Sequence, residues 1–153
     1  MGFGVPYSSL YDFSPSMVTG FQAWLLTRYG TIKTINEAWR SDFSEISDIQ
    51  PIPSDYAHPE NKRWSDWYVY RHTMLKNFLE GVSQAAKGVN GDYKVINDFG
   101  SVHDGLSFRR GTFAFKDLAR STDGTKINDS QFYNHYFSAD VLRGSMGVDK
   151  WIM

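Results

Sequence analysis

Cysteine is absent from the 153-residue chain, so neither a disulfide framework nor a thiolate metal site can hold it together, and the redox compartment stays open between cytoplasm, periplasm and exterior. An excess of charge of one sign is also missing. Sixteen Lys and Arg stand against 17 Asp and Glu, for a net charge of -1, which removes the basic footprint that nucleic acid or an anionic membrane surface would require. No run of about 18 apolar residues could span a bilayer. The amino-terminal MGFGVPYSSLYDF lacks the basic start and apolar centre of a signal peptide. GxGxxG and P-loop patterns are absent too, which disfavours a nucleotide-binding sheet. With His58, His72, His103 and His135 scattered and no HExxH pair, no metal site is expected. A hydrolase triad of Asp98, His103 and Ser101 or Ser107 lacks the GxSxG elbow that would expose its serine. No cofactor is expected.

Aromatic residues, by contrast, make up 16% of the chain, with five Trp and nine Tyr. Two causes compete for that excess: an aromatic core, or exposed rings that stack on ligands such as sugars. At 41% hydrophobic the chain supports one compact domain, since a domain of this length buries roughly 70% of its unfolded surface.

Ser14 before Pro15 is a helix start, a hydroxyl cap followed by a proline in the first turn, and Gly30 is its stop. Between them Phe21, Trp24, Leu25 and Tyr29 form a single apolar stripe. Thr31 caps a second, shorter helix through Ile32, Ile35 and Trp39, and the serine-rich, proline-ended Ser41 to Pro53 reads as a loop or excursion. The longest helical pattern runs from about Asn61 to Lys87, with Trp64, Trp67, Met74, Leu75, Phe78, Leu79 and Val82 at helical spacing and Gly88 as its cap. Tyr93 to Asn97 is β-rich and reads as a buried strand. A loop from Gly100 to Gly111, a short helix from Thr112 to Arg120 and a weaker strand from Thr125 to Ser130 follow. A helix then starts at Ser138, turns Val141 and Leu142 inward and is closed by Gly144. Lys150 to Met153 looks like the start of another strand. Helices separating strands imply parallel pairing with crossover connections, hence an α/β fold with about three parallel strands.

The stretch FQAWLLTRYGTIKTINEAW, Phe21 to Trp39, resembles the pattern F..WL...YGTI..LN.AW that follows the acid/base strand in glycoside hydrolase family 42 and its relatives. The likeness continues through Pro51-Ile52-Pro53 and the Trp64 and Trp67 helix. It ends in Phe137-Ser138-Ala139-Asp140-Val141-Leu142-Arg143-Gly144, which is similar to that family's helix before its nucleophile strand. The resemblance implies part of a (β/α)8 TIM barrel over residues 1–153, and a retaining glycoside hydrolase acting on β-galactosides or related β-glycosides. In such enzymes a "K.W.M" run, here Lys150-Trp151-Ile152-Met153, precedes the nucleophile glutamate, and Gly2-Phe3-Gly4 looks like the loop leaving the acid/base strand. The resemblance thus implies that both catalytic glutamates lie outside this sequence and that the chain alone is inactive. The alternative is a non-catalytic sugar-binding or structural α/β domain.

Function in a barrel sits at the carboxyl ends of the strands. This points to Asn97, Asp98, His103 and Asp104 after one strand and to Asp129 and Gln131 after the next, as hydrogen-bonding partners for sugar hydroxyls. By resemblance Asn97 and Asp98 align with the family's "tNf.g" strand end and Asp129 with its "sWD.Y". Asn128 replaces the Trp of the latter, and Ser130-Gln131 replaces the residues before its Tyr. Asp98 and Asp104, close to Gly100 and Gly105, equally suit turn chemistry. Trp64 and Trp67, three apart on one helix face, are either a buried aromatic end or a sugar-stacking platform. The expected partners are a carbohydrate substrate and, through exposed barrel edges, further copies of the chain.

Overall fold

The computed structural model describes residues 13–52, 61–98, 114–127, 135–147 and 149–153. They belong to two compact units, Met1–Arg71 and His72–Met153.

In the first unit the sequence signals translate directly. Helix α1 spans Pro15–Tyr29 and α2 spans Ile32–Trp39. The Ser14 hydroxyl accepts the Met17 N–H to start α1, and Gly30, at φ 83°, stops it by donating its N–H to the Leu26 carbonyl. Thr31 caps α2 in the same way through the Thr34 N–H. The polar excursion beyond α2 owes its shape to Asn36. The Asn36 Oδ1 accepts from the Ser41 hydroxyl and the Phe43 N–H while its Nδ2 donates to the Phe43 carbonyl. Within that excursion Ile46–Asp48 forms one 3-10 turn, and Gln22 ties it to α1 by donating to the Ile49 carbonyl at 3.0 Å.

The core of this unit is aromatic. Phe21, Leu25, Ile35, Ile49, Trp64, Trp67, Tyr68 and Tyr70 are buried together. Phe21 meets Trp67 edge-on with centroids 5.0 Å apart, and Trp64 stacks on Tyr68 at 5.3 Å, both arrangements that the ring quadrupoles favour. Gly20 sits in the middle of α1, where glycine weakens a helix. It is there because any Cβ would run into the Tyr70 hydroxyl.

Among the described residues one carboxylate lies inside this apolar unit. Asp66 is 1% exposed, and its Oδ2 accepts from the Tyr29 hydroxyl at 2.6 Å and from the Trp39 indole at 2.8 Å. Its Oδ1 faces Arg28 at 3.7 Å and Lys62 at 3.6 Å, attractive but beyond good hydrogen-bond reach. Burial, followed by the bond to Asp66, pushes the Tyr29 phenol above its usual pKa.

Helix α3 spans Lys62–Val89, so it runs through Gly88 where the sequence pattern placed the cap. The stop comes two residues later. Asn90 takes the Asp92 N–H on its side chain and the Tyr93 N–H on its carbonyl, a turn that ends the helix more firmly than a lone glycine. Leu75 and Leu79 pack inward, whereas Met74, Phe78 and Val82 are exposed. The apolar residues at helical spacing in the second half of α3 thus divide between an inward and an exposed side.

In the second unit strand β1 is Ile96–Asp98, β2 is Gly124–Lys126 and β3 is Trp151–Ile152, and they pair in parallel in the order β1-β2-β3. Ile96 stands opposite Gly124, and Gly124 opposite Trp151. Strand β1 starts later than Tyr93, because Asp123 holds Val95 from both sides: its Oδ2 accepts the Val95 N–H and its own N–H donates to the Val95 carbonyl. Helix α4, Phe115–Ala119, and helix α5, His135–Met146, cover the sheet through Leu118, Ala119, Leu142 and Met146, against which Ile127 and Ile152 pack. Helix α5 starts before Ser138 and passes through Gly144. Its stop is Gly147, at φ 95°, whose N–H returns to the Arg143 carbonyl. Left-handed backbone is open to glycine at little cost, and Gly144 lies inside the helix instead.

Asp123 organises the amino ends of all three strands. Besides Val95 it accepts from Lys87 Nζ at 3.0 Å on Oδ1, and its carbonyl accepts the Trp151 N–H. The Val95 N–H and the Lys87 ammonium hold its carboxyl below the usual range, burial opposing them weakly. A carboxylate depressed in the folded state contributes stability above its unfolded pKa, near 3.9, and loses it as pH falls through the folded value. Thermal midpoints measured from pH 7 downward should therefore show wild type ahead of Asp123→Asn at neutral pH, with the gap closing below about pH 4. A gap that stayed constant to pH 2 would remove the carboxylate charge from the account.

Candidate functional site

The carboxyl ends of β1 and β2 bring Asp98 and Lys126 opposite each other in register, with Oδ2 and Nζ 3.4 Å apart. Both side chains are about half exposed. Side chains alternate between the two faces of a strand, and this decides what the sheet presents. Asn97, Thr125 and Ile152 lie on the face covered by α4 and α5, as the packing of Ile127 and Ile152 shows. Asp98, Lys126, Trp151 and Met153 lie on the other face, where Trp151 is 52% and Met153 61% exposed. That second face carries the Asp98–Lys126 ion pair and the apolar side chains of Ile96, Trp151 and Met153, a surface able both to hydrogen-bond hydroxyls and to cover the apolar side of a ring.

The expected site residues are thus distributed unequally. Asn97 and Asp98 are neighbours in sequence but point to opposite faces. Asn97 accepts the Thr125 hydroxyl on its backbone carbonyl at 3.2 Å, while its side-chain amide is buried with neither Nδ2 nor Oδ1 hydrogen-bonded, an uncommon and costly state for an amide. Trp64 and Trp67 lie in the aromatic core of the first unit, 6% and 0% exposed. Neither ring offers a face to a ligand there, because Tyr68 stacks on one and Phe13 and Phe21 enclose the other. His103, Asp104, Asp129 and Gln131 fall outside the described residues. Lys126, Trp151 and Met153 were missed as candidates. The signal for them was the register of the strands, which fixes the face each residue takes and which a sequence read strand by strand does not carry. Among the described residues no cluster of three His, Cys, Asp or Glu could hold a metal ion, and no helix is long and apolar enough to cross a membrane.

Comparison with known proteins finds two β-galactosidases, an agarase and an amylase. The structure superposes on a β-galactosidase from the psychrophilic Marinomonas ef1 with a TM-score of 0.70 at 15% identity, covering 94% of this chain and 25% of that one. It superposes on the polyextremophilic β-galactosidase of the Antarctic haloarchaeon Halorubrum lacusprofundi with a TM-score of 0.64 at 21% identity, covering 92% and 22%. An exo-β-agarase is similar at a TM-score of 0.62 and 15% identity, over 94% of this chain and 18% of that one. By sequence, a thermophilic β-amylase of Thermoanaerobacterium thermosulfurigenes is 29% identical over 86 residues, 51% of this chain and 15% of the amylase. The chain therefore spans a quarter or less of the length of each of these proteins. Its α/β fold, parallel strands with covering helices, is part of a (β/α)8 barrel. The family model described as beta-galactosidase matches residues 6–153, and with nearly the whole chain inside that match, it belongs to glycoside hydrolase family 42.

Proposed function

We propose that the chain is the part of a retaining β-glycosidase barrel that frames the sugar, that its substrates in the whole enzyme are β-galactosides or related β-glycosides, and that it does not hydrolyse them alone. Residues 1–153 are read as one partial barrel domain. The observation that carries the reading is the pairing of Asp98 with Lys126 at the carboxyl ends of β1 and β2, which suits the carboxylate to holding a hydroxyl. A retaining mechanism needs two carboxyl groups about 5 Å apart, one protonating the leaving oxygen and one attacking the anomeric carbon. Asp98, held by Lys126, is assigned to binding sugar hydroxyls, together with His103, Asp104, Asp129 and Gln131. Asn97 positions the strand end through its carbonyl, and Trp64 and Trp67 serve the core. The parallel edges of β1 and β3 and the bare face of the sheet favour self-association, since such surfaces are covered in complete barrels.

The purified chain is expected to give no turnover of a chromogenic β-galactoside above buffer, and to sediment as more than a monomer at micromolar concentration. Turnover that disappears on Asp98→Asn would sink the non-catalytic assignment. A strictly monomeric species would count against the open-edge reading and leave the assignment of Asp98 untouched.

A further inference from the structure

We propose that Asn90 is a site of spontaneous covalent modification: the backbone nitrogen of Gly91 displaces the Asn90 side-chain amide as ammonia, and the aspartyl or isoaspartyl product unseats the end of α3. Asn90 is the one asparagine of seven in the chain that precedes a glycine. A side chain on the following residue would crowd the five-membered ring that forms and would restrict the backbone rotation that closes it.

The fold leaves this pair open. Asn90, Gly91 and Asp92 are all exposed, so water reaches the reacting atoms. A Cβ on Gly91 would meet no heavy atom within 4 Å, which leaves space for the ring. Among the described residues no hydrogen bond takes up the Gly91 N–H, which must lose its proton, or the Asn90 Nδ2, which must leave. The Asn90 Oδ1 is engaged, by the Asp92 N–H at 2.9 Å. That bond favours the reaction, because negative charge gathers on Oδ1 as the Gly91 nitrogen adds to Cγ, and a donor already aimed at the oxygen stabilises it.

The competing positions are closed. Asn36 has both ends of its amide held by Ser41 and Phe43, and the Asn97 amide is buried in β1. Asp123 with Gly124 could close the same ring. Its carboxylate, however, is held ionised by Lys87 and the Val95 N–H, which makes it a poor electrophile, and Gly124 lies in β2 against Trp151.

The step needs only water. A solvent base takes the Gly91 proton, the nitrogen bonds to Asn90 Cγ, the Cγ–Nδ2 bond breaks, and ammonia departs with the protons it needs from solvent. Water then opens the succinimide. Opening at Cγ leaves aspartate with the peptide link intact, whereas opening at the Asn90 carbonyl carbon routes the chain through Cγ as isoaspartate. The isoaspartyl form adds a carbon to the backbone of the turn in which the Asn90 carbonyl accepts the Tyr93 N–H. Either product places a negative charge at the carboxyl end of α3, where the helix dipole disfavours it.

The test is peptide mapping by mass spectrometry of the full chain incubated at neutral and at mildly alkaline pH, with isoaspartate counted by an isoaspartyl methyltransferase assay. Residue 90 is expected to convert ahead of the other six asparagines, faster at alkaline pH, and at a rate comparable to that of the guanidinium-unfolded chain. Gly91→Ala should slow it severalfold. Gly91 is not left-handed and has space for a methyl group, so that variant folds. The converted chain should melt below the fresh one. Another asparagine reacting first, a native rate far below that of the unfolded chain, or an equal rate in Gly91→Ala overturns the modification site, and a midpoint unchanged by full conversion overturns its effect on α3.

Discussion

Asp66→Ala is expected to lower the stability of the chain by about 3–5 kcal/mol, the range found when one partner of a buried charged network is removed. The effect is large because the aspartate is buried and its Oδ2 is the acceptor for two side chains from other elements, the Tyr29 hydroxyl and the Trp39 indole. Alanine leaves both donors without a partner in a part-buried setting, and each such donor costs about 1–3 kcal/mol. Asp66→Asn separates hydrogen bonding from charge. It retains a carbonyl oxygen for the two donors, loses the attraction to Arg28 and Lys62 and turns an amide NH2 toward them, a smaller cost because their side chains are 44% and 47% exposed and can move away. Urea denaturation should therefore place Asp66→Asn much nearer to wild type than Asp66→Ala. Equal losses for the two variants would mean that the charge, and not the pair of hydrogen bonds, holds the network.

Gly20→Ala should destabilise by about 1–3 kcal/mol, the usual cost of forcing extra volume into a packed core. At an exposed mid-helix position the same change would stabilise by roughly 0.5–1 kcal/mol. The sign is reversed by one atom, the Tyr70 hydroxyl, since the next nearest heavy atom to a Cβ at position 20 is the Tyr70 Cζ at an ordinary 3.4 Å. Tyr70→Phe removes that atom. The double variant Gly20→Ala/Tyr70→Phe should accordingly recover most of the loss, giving a coupling energy of at least about 1 kcal/mol in a double-mutant cycle. Additive effects of the two changes would show that the close approach of α1 to Tyr70 is not what requires the glycine.

The helices of the first unit were legible because their signals are local. Ser14 with Pro15, Gly30 and Thr31 each act within four residues, and each does in the structure what its chemistry implies. The glycines at 88 and 144 misled for a complementary reason. Glycine stops a helix where the backbone turns left-handed, and that decision belongs to the residues beyond it, Asn90 and Gly147. The extent of β1 depended on Asp123, 28 positions away from Val95, and no local pattern could announce it. The site was legible in outline, as strand ends rich in polar residues, but not in its facing. Register across three strands sets Asp98 beside Lys126 and turns Asn97 toward the helices. The aromatic excess, which admitted a core or a set of stacking rings, resolves largely into core for the tryptophans of the first unit, while Trp151 remains on an open face.

The spacing of the sheet bears on how the chain reaches its native state. Every rung between β1 and β2 joins residues 28 positions apart, as Ile96 to Gly124, and those between β2 and β3 join residues 27 apart. Closing such loops precedes any return from pairing, and the strands are too short to hold together in isolation. Helices form in about a microsecond or less, whereas non-local parallel pairing is slow. The sheet is thus the last part of the second unit to assemble, and until it does, the apolar residues of α4 and α5 have Leu75 and Leu79 to close on but lack Ile127 and Ile152.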